Sequence, residues 1–392
     1  MNIQQMKWVT ALLVIAGFQV ARGDTAADMK WYDKLTLSGD MRYRFDNIQR
    51  EGQPNRERDR VRARLGVKAE ANEDITVGIR LATAMAVSTT PEEGSPYGAP
   101  GEGAPFSENQ TLTDQNSEKA AYFDLAYMDY HPSAMPGLDV IGGKMANPLI
   151  LVDTYLWDPD MYPEGIAAKY CTGDEVQLLA NATYFWLKER RITDDTKLYA
   201  GQLALNFKPN KESHVMVGGS YYDFQKMKGF PVLDWQNNNN SWGNTTTEQI
   251  IGTTTNALYA EEFRVAEGFM EAGTKIIVPV KVFGAYTRNA DPSSNNKAYT
   301  FGVQLGQTKE PGTFQVGYDY RHLEKDAWPG CLPDDDAWGG GTDGKGHKFS
   351  VVYQLMNNLQ LCGTLWLSQR SIAPGETSLD YREVLVDIVA KF

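Results

Sequence analysis

The sequence has 392 residues and a formal net charge of −12 at pH 7, which argues against nucleic acid as a partner because phosphates select basic surfaces. Hydrophobic residues make up only 42% of the chain and the mean hydropathy is −0.44, which excludes a bundle of membrane-spanning helices. A membrane-spanning β-barrel remains compatible with this composition, since only alternate residues of each strand face lipid. Three scattered cysteines, Cys171, Cys331 and Cys362, fit neither a disulfide framework nor a zinc site, and we expect no cofactor.

The N-terminus has the pattern of a secretory signal. Lys7 precedes an apolar run over residues 8–20, and Ala21 and Gly23 supply the small residues of a cleavage site. The run is too short to cross a bilayer, and a buried first helix is the alternative. We therefore expect a signal peptide at residues 1–23 and a mature domain at 24–392, outside the cytoplasm.

Alternation of apolar and polar residues begins directly after this segment. From Leu35 to Phe45 every second residue is apolar or glycine, and the residues between them are polar or charged. This period of two is typical of a β-strand with one face in water. The same pattern recurs at residues 61–69, 75–81, 123–127, 176–186, 199–207, 215–221, 276–286, 299–305, 314–320, 349–355, 359–367 and 384–392.

The connections between these segments alternate between short and long. Short turns are predicted near residues 72–74, 132–137, 172–174, 209–211, 272–273, 311–312 and 357–358. Longer polar links cover residues 47–57, 88–118, 146–164, 189–196, 224–257, 288–297, 323–346 and 370–379. A barrel with tight periplasmic turns and long external loops predicts this regularity, whereas a β-sandwich does not.

Three weaker segments complete the count. Leu138–Lys144, Gly165–Tyr170 and Leu258–Met270 bring the total to about sixteen strands, an even number as single-chain bacterial barrels require. The last segment alternates poorly and places Glu267 on the face of two apolar residues, so a short helix is the alternative there. The predicted fold class is all-β, a transmembrane antiparallel barrel of about sixteen strands.

Six arginines share the polar face of the first three predicted strands. An arginine facing lipid near the bilayer midplane would cost about 2–4 kcal/mol, so these side chains are expected to face the lumen. They are Arg42, Arg44, Arg60, Arg62, Arg64 and Arg80. We predict that they line a pore and take part in solute selection; the alternative is that they only pair with nearby acidic residues.

The third long link is more apolar than an exposed loop should be. Its apolar residues need burial, and the sheltered place nearby is the lumen of the barrel, although packing on the outer rim is the alternative. Folding inwards would bring four carboxylates into the pore opposite the arginines. These are Asp153, Asp158, Asp160 and Glu164.

The last residue, Phe392, closes an apolar stripe formed by Val384, Val386, Ile388 and Ala390. This ending resembles the signal that outer-membrane barrels present to the barrel assembly machinery. Ala390 stands where many barrels have an aromatic residue. We predict that Phe392 is the assembly signal.

Together, the signal peptide, the sixteen-strand rhythm and Phe392 resemble the general bacterial porins. The stretch Gly143–Pro148, followed by Trp157-Asp158 and Pro163-Glu164-Gly165, is similar to the family called "putative porins". This resemblance implies an outer-membrane homotrimer of water-filled channels with the third loop folded inside. In that stretch Lys144 faces the lumen only if Gly142-Gly143 forms a bulge.

The predicted function is passive diffusion of small hydrophilic solutes and ions through the bacterial outer membrane. A substrate-selective channel is one alternative, and a secreted soluble β-protein that binds glycans is another. We expect no enzymatic activity, because no histidine lies in a recognisable catalytic constellation. Expected partners are membrane lipid and lipopolysaccharide. Excess acid in the presumed external loops is expected to be solvated or to bind divalent cations shared with lipopolysaccharide; it includes Glu92, Glu93, Glu102, Glu108, Asp334, Asp335, Asp336 and Asp343.

Overall fold

The structure, a computed structural model, describes residues 31–84, 105, 107–112, 116, 118–234, 239–251 and 254–392. The predicted signal peptide lies outside the described residues, as does most of the predicted link 88–118. The chain divides into two compact units, Met1–Leu35 and Thr36–Phe392. In the first unit the described part is a 3₁₀ turn, Trp31–Lys34, and the first residue of a strand. No helix among the described residues has the length and apolar character needed to cross a bilayer.

All other regular structure described is β-strand. The strands are β1 (Leu35–Arg50), β2 (Arg56–Asn72), β3 (Ile75–Thr83), β4 (Gln110–Thr111), β5 (Ala121–Tyr130), β6 (Leu138–Lys144), β7 (Glu164–Thr172), β8 (Val176–Lys188), β9 (Thr196–Asn210), β10 (Ser213–Gln225), β11 (Thr246–Ile251), β12 (Thr254–Tyr259), β13 (Phe263–Lys275), β14 (Pro279–Asn289), β15 (Lys297–Gly306), β16 (Phe314–Leu323), β17 (Gly344–Met356), β18 (Leu359–Arg370) and β19 (Leu379–Lys391).

The main sheet is antiparallel and closes on itself. Strand β1 pairs with β2 on one side and with β19 on the other, so that Tyr43 lies opposite Ile388. Strand β4 adds only a two-residue pairing to β2, and β11 and β12 form a separate hairpin. The remaining sixteen strands form a closed barrel, which confirms the predicted fold class.

Short connections alternate with mostly longer ones around the barrel, as the sequence predicts; the exception is the link 51–55, which is shorter than the turns 131–137 and 307–313. The short ones are residues 73–74, 131–137, 173–175, 211–212, 276–278, 307–313 and 357–358. Because neighbouring strands are antiparallel, the short connections lie at one end of the barrel and the others lie at the opposite end. The latter include the four long links 84–120, 145–163, 226–262 and 324–343, which all matter below.

Each strand presents an apolar outer face and a more polar inner face. On β1 the apolar side chains of Met41 and Tyr43 are exposed on the outside, whereas Asp40, Arg44 and Asp46 on the opposite face are buried. An outward hydrocarbon surface is stable only when lipid covers it, because exposing apolar surface to water costs about 25 cal/mol of free energy per Å². The alternation therefore fixes the direction of every inward side chain.

The weak segment at 258–270 is a strand over most of its length, so the alternative of a short helix is wrong. Leu258 belongs to the separate hairpin, and β13 begins at Phe263. Phe263, Val265 and Glu267 all lie on the inner face and are buried. The pattern was weak because this part of the barrel wall is covered on the inside by other protein rather than by water.

That covering is an aromatic cluster in the barrel interior, built by loops packed against the wall. The indole of Trp328, in the link 324–343, contacts Tyr222 and Phe224 of β10 with ring centroids 4.8 and 5.0 Å apart. Trp157, in the link 145–163, packs edge-on against Trp328 at 5.7 Å. Edge-to-face aromatic pairs contribute about 0.5–1.5 kcal/mol each beyond the area that they bury. The cluster therefore anchors both loops to the inner wall.

The barrel closes at a seam where β1 pairs with β19, and Gly39 lies at this seam beside Phe392. The backbones of Gly39 and Phe392 exchange two hydrogen bonds of 3.0 Å, and a Cβ at Gly39 would lie 2.4 Å from the ring of Phe392 and 2.5 Å from the carbonyl oxygen of Arg64. Gly39→Ala should destabilise the closed barrel by about 1–3 kcal/mol, because the Arg64 carbonyl belongs to the backbone of β2 and cannot move aside. The measurement is the temperature at which the fast-migrating folded band is lost on detergent gels.

Gly201→Ala is the matched control for that variant. Gly201 lies on the outer face of β9, where a Cβ would meet nothing within 4 Å. Its melting temperature should match that of the unmodified protein. Equal melting temperatures for the two variants would contradict the tight seam.

Candidate pore constriction

The six predicted arginines lie on β1, β2 and β3 at positions that alternate with outward residues. Arg44 donates from Nε to Oδ1 of Asp387 on β19 at 2.7 Å, and from Nη1 to Asp336 at 3.2 Å. Arg60 and Arg62 are buried, with 3% and 6% of their surface exposed. All six therefore direct their guanidinium groups into the barrel, and we call them the arginine wall.

Asp40 joins two members of the arginine wall. Its Oδ1 accepts from Nη2 of Arg62 at 2.8 Å, and its Oδ2 accepts from Nε of Arg64 at 2.6 Å. Arg80 is held in a similar way by Asp124 of β5, with Nε and Oδ2 2.8 Å apart. Charge-assisted pairs of this kind fix a guanidinium plane as well as its position. Some pairing with strand carboxylates, the alternative weighed above, is thus present.

The link 145–163 crosses the interior and contacts the inner face of distant strands. Gln202 of β9 accepts from the backbone N–H of Ile150 at 2.7 Å. The Tyr155 hydroxyl donates to Glu267 of β13 at 2.9 Å and lies 2.5 Å from the Thr287 hydroxyl of β14. Since all these partners alternate with outward residues, the segment lies inside the barrel and not on its outer rim.

Three of the four predicted carboxylates of this link lie inside with it. Asp160 is within 3.5 Å of Arg62 and 3.9 Å of Arg42, so it faces the arginine wall. Asp153 reaches the opposite side and accepts from Nη2 of Arg321, on β16, at 2.7 Å. Asp158 is buried and accepts from the backbone N–H of residues 160 and 335.

Glu164 does not belong with them, and the expectation that it lies in the pore is wrong. It is the first residue of β7, pairs across the ladder with Lys144, and its carboxylate lies 2.9 Å from the Lys144 ammonium. Both residues share the outward face with the exposed Ile166, because no bulge interrupts the ladder at Gly142-Gly143. Because both residues occupy outward positions of their strands, this ion pair lies on the outside of the barrel.

A second inward segment was not predicted from the sequence. Glu108 was placed among the external loop acids, yet its carboxylate lies 3.2 Å from Arg64 and 3.6 Å from Arg62. Beside it, Ser107 accepts from Arg60 at 3.0 Å and Asn109 accepts from Arg42 at 2.7 Å. The described part of the link 84–120 thus covers the arginine wall.

The link 324–343 supplies a third set of inward carboxylates, also assigned to the outside by the sequence. Asp336 pairs with Arg44, and Asp334 accepts from Nη1 of Arg321 at 3.0 Å. The Asp335 backbone N–H donates to Asp158 at 3.1 Å, which ties this link to the link 145–163. The buried tryptophans Trp328 and Trp338 were the available sequence signal, since an external loop rarely contains two.

Carboxylate oxygens of Asp158, Asp334 and Asp335 lie within 4.8 Å of one another, which is the spacing of a cation site. Several of their lone pairs already accept hydrogen bonds, from backbone N–H groups and from Arg321. Burial, with the charges of the two neighbours, raises the pKa of Asp158 well above its usual range. We therefore assign no metal to this cluster.

Glu108 has a shifted pKa as well. Burial raises the pKa of Glu108. The negative charge of Asp160 and a hydrogen bond with Asp124 raise this pKa further, whereas the positive charges of Arg64 and Arg62 lower it. The net result is a pKa of about 8. Glu108 is therefore mostly neutral at pH 7, and the arginine wall has less compensating charge there than the number of carboxylates suggests.

Solved structures with this architecture include two bacterial proteins. OprB of Pseudomonas putida, solved at high pH, is 10% identical, with a TM-score of 0.55 over 92% of this chain and 95% of that chain. OmpF of Salmonella typhi, in complex with daunomycin, is 11% identical, with a TM-score of 0.52 over 91% of this chain and 97% of that chain. At these identities the likeness shows the fold alone, that of a porin barrel.

Residues 47–258 and 253–392 match the family model described as "Putative porin". The chain belongs to this family. Comparison with curated proteins returned no match. The protein is thus a porin of the bacterial outer membrane, a channel for passive diffusion.

Proposed function

We propose that the arginine wall and the inward links form the constriction of this channel, and that it passes small hydrophilic solutes and ions. The single observation that carries the proposal is the convergence of three separate links on one wall. Asp160, Glu108 and Asp336 come from links far apart in sequence, and each lies within 4.0 Å of arginines of β1 and β2. Guanidinium groups and carboxylates in direct contact along one wall present a strong local field to a solute that passes beside them.

Such a field selects by polarity rather than by one sign of charge. A dipolar solute can align with the field, whereas an apolar solute must displace ordered water without forming new hydrogen bonds. Because the arginines are matched by nearby carboxylates, we infer only a modest preference between small anions and cations. A substrate-selective channel remains the alternative, and the buried pairs at Arg321 and Asp153 favour a narrow passage of defined shape.

The test is single-channel recording across a planar bilayer. The purified protein should give discrete current steps, with a conductance that falls for polar solutes too large for the constriction. Unmodified current in the presence of such solutes would contradict a narrow passage. Failure to produce steps, in protein that still shows heat-modifiable migration, would contradict the channel function and leave the fold intact.

A pH titration tests the constriction separately. As the pH rises through about 8, Glu108 gains a negative charge beside the arginine wall, so the channel should become several-fold more cation-preferring. The reversal potential in a salt gradient reports this preference. Glu108→Gln should abolish the step near pH 8 while keeping the value measured at low pH, where Glu108 is neutral.

Glu164→Gln is the matched control, because that carboxylate lies on the outer face. Its titration should follow that of the unmodified channel. If Glu108→Gln keeps the step, Glu108 does not face the conducting path.

We also propose the remaining assembly features. The chain is exported with cleavage after residue 23, Phe392 is read by the barrel assembly machinery, the barrel forms a homotrimer, and its outer face contacts membrane lipid and lipopolysaccharide. Support comes from the terminal pairing of Phe392 with Gly39 and from the apolar outer face of β19. Chemical cross-linking in native membranes tests the trimer; a band only at the monomer mass would contradict it.

A further inference from the structure

A small separate sheet lies in the link 226–262, at the end of the barrel that carries the long links. Its strands β11 and β12 pair antiparallel with each other, and neither of them joins the main sheet. A two-stranded ladder has two outer edges, and the backbone N–H and C=O groups along each edge point away from the ladder. The two edges of this sheet are satisfied differently.

The outer edge of β12 is closed by other parts of the same link. The Tyr259 N–H donates to the carbonyl oxygen of Phe230 at 3.0 Å. The Ala257 N–H donates to Oδ1 of Asn239 at 2.6 Å, and Nδ2 of Asn239 donates to the carbonyl oxygen of Thr255 at 3.0 Å. One face of the sheet's backbone is therefore already paired, in part by a side chain that mimics a further strand.

The outer edge of β11 has no such cover. Tyr259 and Ala257 turn their backbone groups away from β11, so the residues directly opposite them, Thr246 and Glu248, turn theirs away from β12. Ile250 continues the set two residues further on. Among the described residues, no group bonds to the backbone of these three, which we call the open edge. Glu248 and Ile250 are exposed, Ile250 with 72% of its surface.

Strand β11 also lacks the devices that protect the edges of natural sheets. It reads Thr-Thr-Glu-Gln-Ile-Ile, with no lysine, no proline and no glycine, and four of its six residues are β-branched. Its register with β12 is unbroken over all six pairs, so no bulge twists the edge away. A regular, exposed edge of this composition is a template for a further strand.

We propose that the open edge binds an extended segment of another protein, on the outer side of the membrane, which adds to β11 as an antiparallel strand. The N–H and C=O groups of Thr246, Glu248 and Ile250 bond to the main chain of this segment, and side chains supply the choice of partner. Opposite Glu248 the segment carries lysine or arginine, and opposite Ile250 it carries an apolar residue. The inference goes beyond the channel and does not depend on conduction.

A second copy of this chain fits the open edge less well. Pairing β11 with its own copy through all three open residues requires a two-fold axis at the centre of the set. That axis would place the two Glu248 carboxylates directly opposite each other. Like charges at directly opposite positions destabilise a pair of strands, whereas a basic residue from a different protein forms an ion pair there.

The test is binding of a labelled peptide to the intact protein in lipid nanodiscs, measured by fluorescence anisotropy. The probe is a short blocked peptide in which threonine and valine alternate around a central lysine. It should bind, and hydrogen exchange of the backbone amides in residues 246–250 should slow when it does. The same peptide with N-methylated amides should not bind, because it cannot form the main-chain bonds.

Two variants of Glu248 separate the backbone from the charge. Glu248→Pro removes an N–H of the open edge but no bond of the hairpin, so binding should weaken by about tenfold or more. Glu248→Lys keeps the backbone, and it should prefer a peptide with a central glutamate. Gln249→Thr is the matched control, because the backbone of that residue faces β12; it should bind the lysine peptide as the unmodified protein does. Heat-modifiable migration checks the fold of each variant.

Four results would overturn the proposal. They are no binding of the lysine peptide, equal binding of the N-methylated peptide, unchanged binding by Glu248→Pro, and no change of charge preference in Glu248→Lys. Dimers in detergent solution that Glu248→Pro abolishes would likewise overturn it and assign the open edge to a second copy. A missing channel current with normal peptide binding would contradict only the proposed pore.

Discussion

Changing Arg60, Arg62 and Arg64 together to glutamine is expected to make the channel strongly cation-selective. These residues supply three positive charges to one strand of the proposed constriction. At an effective dielectric constant of about 20, a unit charge about 10 Å away contributes ~1.7 kcal/mol to the energy of a passing ion. Removing three should therefore change the ratio of cation to anion permeability by more than about tenfold. The reversal potential in a salt gradient measures the ratio.

The change exceeds the loss of three cations because their partners remain. Asp40 loses both of its arginine partners, and Asp160 loses Arg62 and keeps only the more distant Arg42. The uncompensated carboxylates then attract cations into the passage. Leaving buried carboxylates unpaired also costs stability, on the order of 3–5 kcal/mol for each strongly buried pair. A lowered melting temperature of the barrel should accompany the shift in selectivity.

The control for this variant carries the same change at Arg264, Arg288 and Lys297 on the outer face of the barrel. It removes three positive charges from the protein without touching the inner wall. Its reversal potential should stay within error of the unmodified channel. An equal shift in both variants would mean that net charge, and not the arginine wall, sets the selectivity.

The barrel itself was predictable from sequence because lipid and water impose the same rule on every strand. A residue such as Tyr43 can only face lipid and its neighbour Arg44 can only face the interior, so a period of two appears wherever a strand crosses. The rule weakened at β13, where Phe263 and Val265 face inwards. There the interior is filled by protein, and an apolar inner face is as stable as an apolar outer face.

The inward links were only partly predictable. The link 145–163 was recognised because several apolar residues in it demanded burial. Glu108 and Asp336 were assigned to the outside because single acidic residues in polar links give no such signal. Glu108 and Asp336 face inwards because they pair with Arg64 and Arg44 inside the closed barrel. These contacts join segments far apart in sequence, so no local sequence pattern predicts them.

Glu164 shows the limit of assigning a side by position in a loop. It lies only four residues beyond Asp160, yet the first residue of β7 follows the parity of the ladder and not the direction of the loop. The outward position of Lys144 follows from the alternation along β6, because no bulge interrupts the strand. Parity from an established strand is therefore the safer guide at loop boundaries.

Arg321→Ala is expected to release two loops from the interior and raise the single-channel conductance. The side chain is buried at the inner face of β16, and it binds carboxylates from three elements: Asp319 on its own strand, Asp153 and Asp334. The two last carboxylates belong to the links 145–163 and 324–343. Removing the guanidinium leaves them unpaired beside one another, so their repulsion should drive the loops apart.

The expected loss of stability is about 3–5 kcal/mol, as for one missing partner in a buried ion pair. Arg321→Lys should recover only part of it, because one ammonium cannot reach three carboxylates that approach from different directions. The current of the alanine variant should be larger and less steady than that of the unmodified channel. Melting of the heat-modifiable band gives the stability, and single-channel recording gives the conductance.

Arg264→Ala is the matched control, since Arg264 pairs with one aspartate, Asp291, and over half of its side chain is exposed. Exposed pairs contribute about 0–1 kcal/mol, so melting temperature and conductance should both stay close to the unmodified values. A further variant combines Arg321→Met with Asp153→Asn and Asp334→Asn. This triple variant removes the repulsion between Asp153 and Asp334 together with the guanidinium that held them. It should therefore be more stable than Arg321→Ala. If Arg321→Ala conducts and melts as the control does, the two loops are held in the barrel by their aromatic contacts with Trp328 and not by this ion cluster.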